Sequence, residues 1–413
     1  MRVRPLAVSW LALSCVLVLV AGSPSVSRAE IWCADALWAH EWGVVVFGAS
    51  GASRTAGPRL PAHFHGPAAP SGPAATGLAV REMRPDGGER ALPVLSFATA
   101  GMWEPPPIAI ELGFAQGEAT RWFPEVDARR SLADVTSPAS VAEHARLAAA
   151  RQSLRPHSAR PTLGRDPSRQ LAWDRLELSL APRHPLATAG EPWVQRLRDD
   201  PRALWVNRTS SQGGESERFV FYEGQTRERP AITIERGPTY ATGRRHLVLR
   251  NGSRHAVHDV FLVQREGAHV YVLSVPTIPA GATAGYVLED HEVAAGALRG
   301  ATRDALRSAI VDARQPSPPT GASWDGPDGC VMQRDPAVPV EQAGGHALFA
   351  SEADVLLEAW GPRFFDASGT TLVYREDVAQ LDEVMPLAIY TDMYHHVELR
   401  RLGLALVENV ALP

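Results

Sequence analysis

The residues best placed to do chemistry lie early in the chain, at His40-Glu41-Trp42-Gly43 and at His63-Phe64-His65. A neutral imidazole can bind a metal ion or take a proton near neutral pH. His40, His63 and His65 together would supply the three nitrogens of an open zinc site. A water on such an ion, with its pKa lowered, would be the nucleophile of a metal-assisted hydrolase, with Glu41 or Asp392 carrying the proton. His40 and Glu41 cannot share that task easily, because neighbouring residues on a strand point to opposite faces. The chain has no His-Glu-x-x-His, paired Cys-x-x-Cys or EF-hand loop. The competing reading is structural, with Glu41 meeting an arginine and His40 packing beside Trp38 and Trp42. A third reading makes His40, Glu41, Trp42 and Trp38 a binding surface, since tryptophan faces near the start of the chain, Trp32 included, could stack on a glycan or peptide; such rings also bury about 150 to 250 Å² each as core.

Other candidates are weaker. His246, His255, His258, His269 and His291, and the Tyr394-His395-His396 run after Asp392, are two further candidate ligand sets, against which stands the frequency of half-buried histidine on β-rich surfaces. Val44-Val45-Val46-Phe47-Gly48-Ala49-Ser50-Gly51 imitates the strand and turn of a dinucleotide-binding fold. A phosphate-cradling turn must open a helix, and Gly57, Pro58 and Pro61 forbid one. No Gly-x-Ser-x-Gly elbow is present.

The elements that would position these residues are mostly strands. Short apolar runs bounded by Gly and Pro occur at Trp42 to Phe47, Leu92 to Phe97, Ile108 to Phe114, Leu171 to Leu180 and Phe219 to Tyr222. A clearer series comes next, at Ala231 to Ile234, His246 to Arg250, Val257 to Gln264, Ala268 to Val275 and Thr283 to Leu288. Alternation there sets Val257, Phe261 and Val263 on one face and His258, Val260 and Leu262 on the other. These features predict a mainly β protein, α+β overall, with an immunoglobulin-like or related antiparallel β-sandwich and a few short peripheral helices. The helices are expected at Val141 to Ser153, Thr302 to Ala313 and Glu352 to Trp360. Ser351 and Asp354 would cap the last, and Gly361-Pro362 would stop it. Strands are expected at Thr370 to Tyr374 and Leu387 to Tyr390, whereas Val397 to Val407 reads as strand or helix. Three Pro/Gly/Ser-rich loops lie at Pro58 to Gly77, Arg155 to Ser168 and Arg314 to Gly329.

The His40-Glu41-Trp42-Gly43 motif resembles one carried by a group of exported bacterial proteins of unknown function, which place it shortly after the signal peptide. Further similarity extends through Ala109 to Pro124, Glu217 to Glu223 and Val355 to Tyr374. This sequence continues Val-Val-Val where the family often has Thr-Phe. The resemblance implies export and a shared fold, and supplies no activity.

The first residues agree with export. Arg2 and Arg4 precede an apolar run from Leu11 to Ala21, and Ser27-Arg28-Ala29 is a small-x-small cleavage site, as in a secretory signal peptide. Removal of residues 1–29 leaves 38 basic and 46 acidic residues, a balance of −8 that disfavours nucleic acid as a partner. No later stretch has the length to span a membrane. The expected organisation is a signal peptide over 1–29 and an N-terminal β-rich domain over 30–205, then a sandwich region over 206–293. A helix and Pro-rich linker over 294–345 and a C-terminal α+β segment over 346–413, packed on the N-terminal part, complete it. Two functions fit: a non-catalytic envelope protein binding a surface polymer or another exported protein in the periplasm, at the cell surface or outside the cell, without a cofactor; or a zinc-type hydrolase using His40, His63 and His65. Cleavage would leave Cys33 and Cys330 in a compartment where disulfides persist. Peptide mass spectrometry of the unreduced, exported protein should yield a mature start at Glu30 and one Cys33–Cys330 cross-linked peptide; free thiols at both positions would refute the pairing.

Overall fold

The computed structural model of the chain describes residues 36–48, 58–66, 87–99, 105–114, 117–130, 155–156, 170–210, 213–237, 246–266, 269–291, 295–311, 347–391 and 396–410. Residues 1–29, Trp32, Cys33, Cys330, Asp392, His395, the expected helix Val141 to Ser153 and the loop Arg314 to Gly329 lie outside them.

Nineteen strands are found among the described residues. The first nine are β1 (Ala36–Gly48), β2 (Gly88–Thr99), β3 (Ile108–Gly113), β4 (Glu118–Phe123), β5 (Ala128–Arg130), β6 (Arg155–Pro156), β7 (Gln170–Ser179), β8 (Trp205–Ser210) and β9 (Gly213–Glu217). The others are β10 (Phe219–Thr226), β11 (Ile232–Arg236), β12 (His246–Asn251), β13 (Val257–Glu266), β14 (His269–Ile278), β15 (Thr283–Val287), β16 (Glu289–His291), β17 (Gly369–Glu376), β18 (Leu387–Thr391) and β19 (His396–Glu408). The described helices are α1 (Pro192–Asp199), α2 (Ala295–Ile310), α3 (Ala350–Phe365) and α4 (Val378–Val384). None of them is long and apolar enough to cross a membrane.

A nine-stranded sheet in the order β16-β14-β13-β17-β19-β1-β2-β10-β4 forms the centre. Its neighbours are antiparallel except at β19 and β1, which run parallel with Ala36 opposite His396 and Gly48 opposite Glu408. Strand β1 is buried on both faces, so it reads as a nearly continuous apolar run and not as an alternating one. Its even-numbered side chains, Trp42, Val44 and Val46, join a core with Phe219 and Phe221 of β10, Leu197 of α1, Leu306 of α2 and Leu356 and Trp360 of α3. Its odd-numbered ones face the other way. Leu37 and Ala39 meet Ile110 and Trp173 of a sheet ordered β6-β18-β3-β7-β8-β9. Val45 and Phe47 meet Ile232 and Leu249 of a three-stranded sheet, β11-β12-β15. The protein is therefore a layered, mainly β, α+β fold: α1, α2 and α3 cover one face of the central sheet, and two smaller sheets lie on the other, with α4 on that same side.

The five-strand series of the 206–293 segment is shared between layers. β11, β12 and β15 make the small sheet, while β13 and β14 extend the central one and β13 pairs with β17. The hydrogen-bonded sheets thus run across the segment boundaries expected from composition. Strict alternation also fails in β13. A bulge between His258 and Phe261, with Asp259 at φ 47°, inserts a residue and reverses the facing of the side chains beyond it. Val257 consequently lies with Val260 and Leu262 against the small sheet, and Phe261 alone of this group turns to the helices.

Helix α3 likewise passes through its expected stop. Pro362 cannot donate to the carbonyl one turn back, yet Phe364 and Phe365 are buried in the helix-side core and that packing outweighs the lost bond. The N-cap is Phe349, and Glu352 reaches back to its N–H at 2.9 Å, so Ser351 and Asp354 do not cap it. Val397 to Val407 is strand, held on both sides by β1 and β17. Helix α2 starts at Ala295, seven residues ahead of the expected start at Thr302, because Gly296 and Gly300 weaken the helical signal of its first turns.

Candidate functional site

The His40-Glu41-Trp42-Gly43 motif lies mid-strand at the centre of the sheet, and each residue is held by a different layer. On the helix face, His40 Nδ1 bonds Glu352 Oε2 at 2.7 Å. Glu352 takes the Ser96 hydroxyl on its other oxygen, and Ser96 stands opposite His40 on β2. With a carboxylate on Nδ1, that nitrogen must donate, so in the neutral ring Nε2 is left as an acceptor. Phe349 packs 4.2 Å from the imidazole and 5.5 Å from Trp38, ring centre to ring centre. Trp38, His40, Asp200, Arg218, Phe349 and Glu352 line a narrow cavity of about 10 Å³, the scale of a single water molecule. Two of its donors, Trp38 Nε1 and Arg218 Nε, have no partner among the described residues.

On the opposite face Glu41 faces Arg401, its partner in the β1–β19 register. Both Glu41 oxygens accept from the guanidinium, Nη2 at 3.0 Å, and Tyr222 donates its hydroxyl to the same carboxylate. Arg401 is completed by Asp382 at 2.8 Å and the Met385 carbonyl at 2.7 Å. Burial first, and the Glu41 charge second, push the Tyr222 phenol well above its ordinary pKa, so it stays a donor. A second ionic cluster lies close by, where Arg90 bridges Glu228 and Glu376 at 2.5 Å each. Glu41, Arg90, Gly43 and Gly403 border one small space between these clusters, and a Cβ on Gly43 would come within 3.0 Å of Pro93 Cα. Trp42 is fully buried among the helices.

The three imidazoles expected to share a metal ion are differently engaged. His63 packs edge-on against Phe64 and Phe123 at 5.0 and 5.1 Å, and burial, aided by Arg198, lowers its pKa. His65 has Glu125 at 2.8 Å from Nδ1 and Glu215 at 2.6 Å from Nε2, so both ring nitrogens are directed at carboxylates and not at an ion shared with His40 and His63. Among the described residues no group of three His, Cys, Asp or Glu is arranged to hold an ion. Elsewhere His258 lies near Asp377 and His255 near Glu383, both acids belonging to the α4 region.

Ser96, Glu352, Tyr222 and Arg401 are the polar residues of this centre that sequence reasoning missed. Only Glu352 carried a signal, as an acid in the first turn of an expected helix.

No protein-family model matches the chain, and no curated protein does. Among solved structures, the Fcho1 Mu homology domain of Danio rerio with bound Eps15 peptide is similar at 5% identity and a TM-score of 0.29, covering 92% of this chain and 97% of that one. A likeness of that size carries no weight for fold or function.

Replacing Glu41 with Gln strands a buried guanidinium, and urea unfolding should show a loss of about 3 to 5 kcal/mol. The His65 clasp is pH-dependent. The Glu215 hydrogen bond raises the His65 pKa above 6.5 despite burial, so its stabilisation is full below that value and fades as pH rises through the raised one. Burial pushes Glu215 up, but His65 and the Glu125 N–H outweigh it and hold it below 4.5, so that contribution fades as pH falls through the lowered value. The stability difference between parent and His65→Gln should be largest at about pH 4.5 to 6.5 and shrink towards about pH 9; a flat difference across that range would refute the clasp.

Proposed function

We propose that the chain is exported to the cell envelope and serves there as a non-catalytic structural or binding protein for a surface polymer or another exported protein. The observation that carries this reading is the depth of its most reactive-looking residues: His40 and Glu41 are 2% and 3% exposed. Their polar atoms hold Glu352, Arg401 and Tyr222. A catalytic histidine or carboxylate must reach a substrate, whereas the cavity beside His40 matches one water and ligand pockets run to about 300 to 1,000 Å³. The Arg2, Arg4 and Leu11 to Ala21 leader pattern supports export. The hydrolase reading needs imidazole lone pairs, whereas both His65 ring nitrogens face carboxylates that accept from N–H groups.

The purified protein should be retained on at least one of three supports: cell-wall, glycan or envelope fractions. Failure on all three would overturn the binding reading. Stoichiometric zinc that disappears when His63 and His65 are replaced would restore the hydrolase.

A further inference from the structure

The helix layer carries an open groove that the motif chemistry does not use. Arg299 and Arg303 of α2 lie four residues apart and so share a helix face. Arg196 of α1 faces them, and Leu357, Glu358 and Pro362 of α3 line the same space, about 630 Å³. That volume is within the range of ligand sites. The three guanidinium side chains are 51%, 46% and 40% exposed.

Their existing partners leave positive charge in excess. Arg196 meets Glu358 at 2.5 Å. Arg299 meets Asp366 at 3.1 Å, but Asp366 also lies 3.6 Å from Arg265. Arg303 is 4.0 Å from Asp354, whose two oxygens are already bound by Arg307 at 2.7 and 3.1 Å. The remaining acid on this stretch of α2, Asp304, acts on Arg307. Among the described residues, five arginines thus stand against Asp304, Asp354, Glu358 and Asp366, in a chain whose overall charge is −5. Gly300 lies between the two α2 arginines, and a Cβ there would meet nothing within 4 Å. A glycine inside a helix costs about 0.5 to 1 kcal/mol against alanine, so this one keeps the groove bare at a loss of helix stability.

We infer that this groove binds an acidic polysaccharide, its carboxylates paired with Arg196, Arg299 and Arg303 and a sugar face resting on the exposed ring of Pro362. The inference rests on the polymer-binding reading above and names its ligand class. Guanidinium forks match carboxylates in two-point hydrogen bonds. A local excess this small on an acidic chain suits a polymer with one carboxylate per sugar and not a more densely charged nucleic acid, which the rest of the surface repels.

Calorimetric titration of the purified protein with oligogalacturonate, its methyl ester and a DNA duplex tests this. Oligogalacturonate should bind, more weakly as salt rises, and the ester should not. The double variant Arg299→Gln/Arg303→Gln should lose at least about tenfold in affinity, or about 1.4 kcal/mol. Gly300→Trp should lose a comparable amount by filling the groove, while Gly300→Ala binds as the parent; circular dichroism of each variant checks folding. Unchanged binding in the arginine and tryptophan variants, or equal binding of the ester or of DNA, would overturn the inference. Retention on envelope fractions without any oligogalacturonate binding would overturn the groove alone and leave the wider reading intact; loss of retention on every fraction would remove that reading itself.

Discussion

The buried ion pair between Glu41 and Arg401 is the constraint on which the rest of the molecule depends. It joins two strands about 360 residues apart in the one parallel pairing of the central sheet. Desolvating two charges is expensive, and a buried pair is a net gain only when further hydrogen bonds complete it; Tyr222, Asp382 and the Met385 carbonyl do so here. One residue earlier, His40 ties the same strand to Glu352 and so to the first turn of α3. A slip of one residue would carry Glu41 into the helix-side core and His40 into the sheet-side one. The pairing is thereby locked from both faces at once.

The same strand explains how one sheet supports two smaller ones. Neighbouring strands rotate by about 20 to 25°, so a flat cover cannot follow nine of them, and the far face is divided between two sheets with separate cores. Glu41–Arg401 and Arg90–Glu376 stand along the join. Glycines face each other there, Gly43 on β1 and Gly403 on β19. A Cβ on Gly403 would come within 2.5 Å of the Glu376 carboxylate and 2.8 Å of Leu381. The motif thus acts as a joint: histidine for the helices, glutamate for the sheets, tryptophan for the core and glycine for the seam.

Much of the strand pattern was legible because buried strands are short apolar runs between turn residues, and the expected segments at Trp42, Leu92, Ile108, Leu171 and Phe219 all overlap observed strands. Side-chain direction was less so. The bulge at Asp259 leaves no mark in composition, and it reassigns Phe261 to the other layer. Tertiary packing of Phe364 and Phe365 likewise overrides the Gly361-Pro362 stop. The motif could be found from its residue types, but its depth could not, since the partner of Glu41 is one arginine among many and lies at the far end of the chain. His63 and His65, two residues apart, looked like co-ligands; an aromatic pocket and a pair of acids separate their roles.

Placing β19 between β1 and β17 also sets a timetable. Until that strand is in place, the sheet exists as two unjoined halves, each with a bare edge of unpaired amides and carbonyls. Contacts this distant in sequence form slowly, so the sheet closes late in folding.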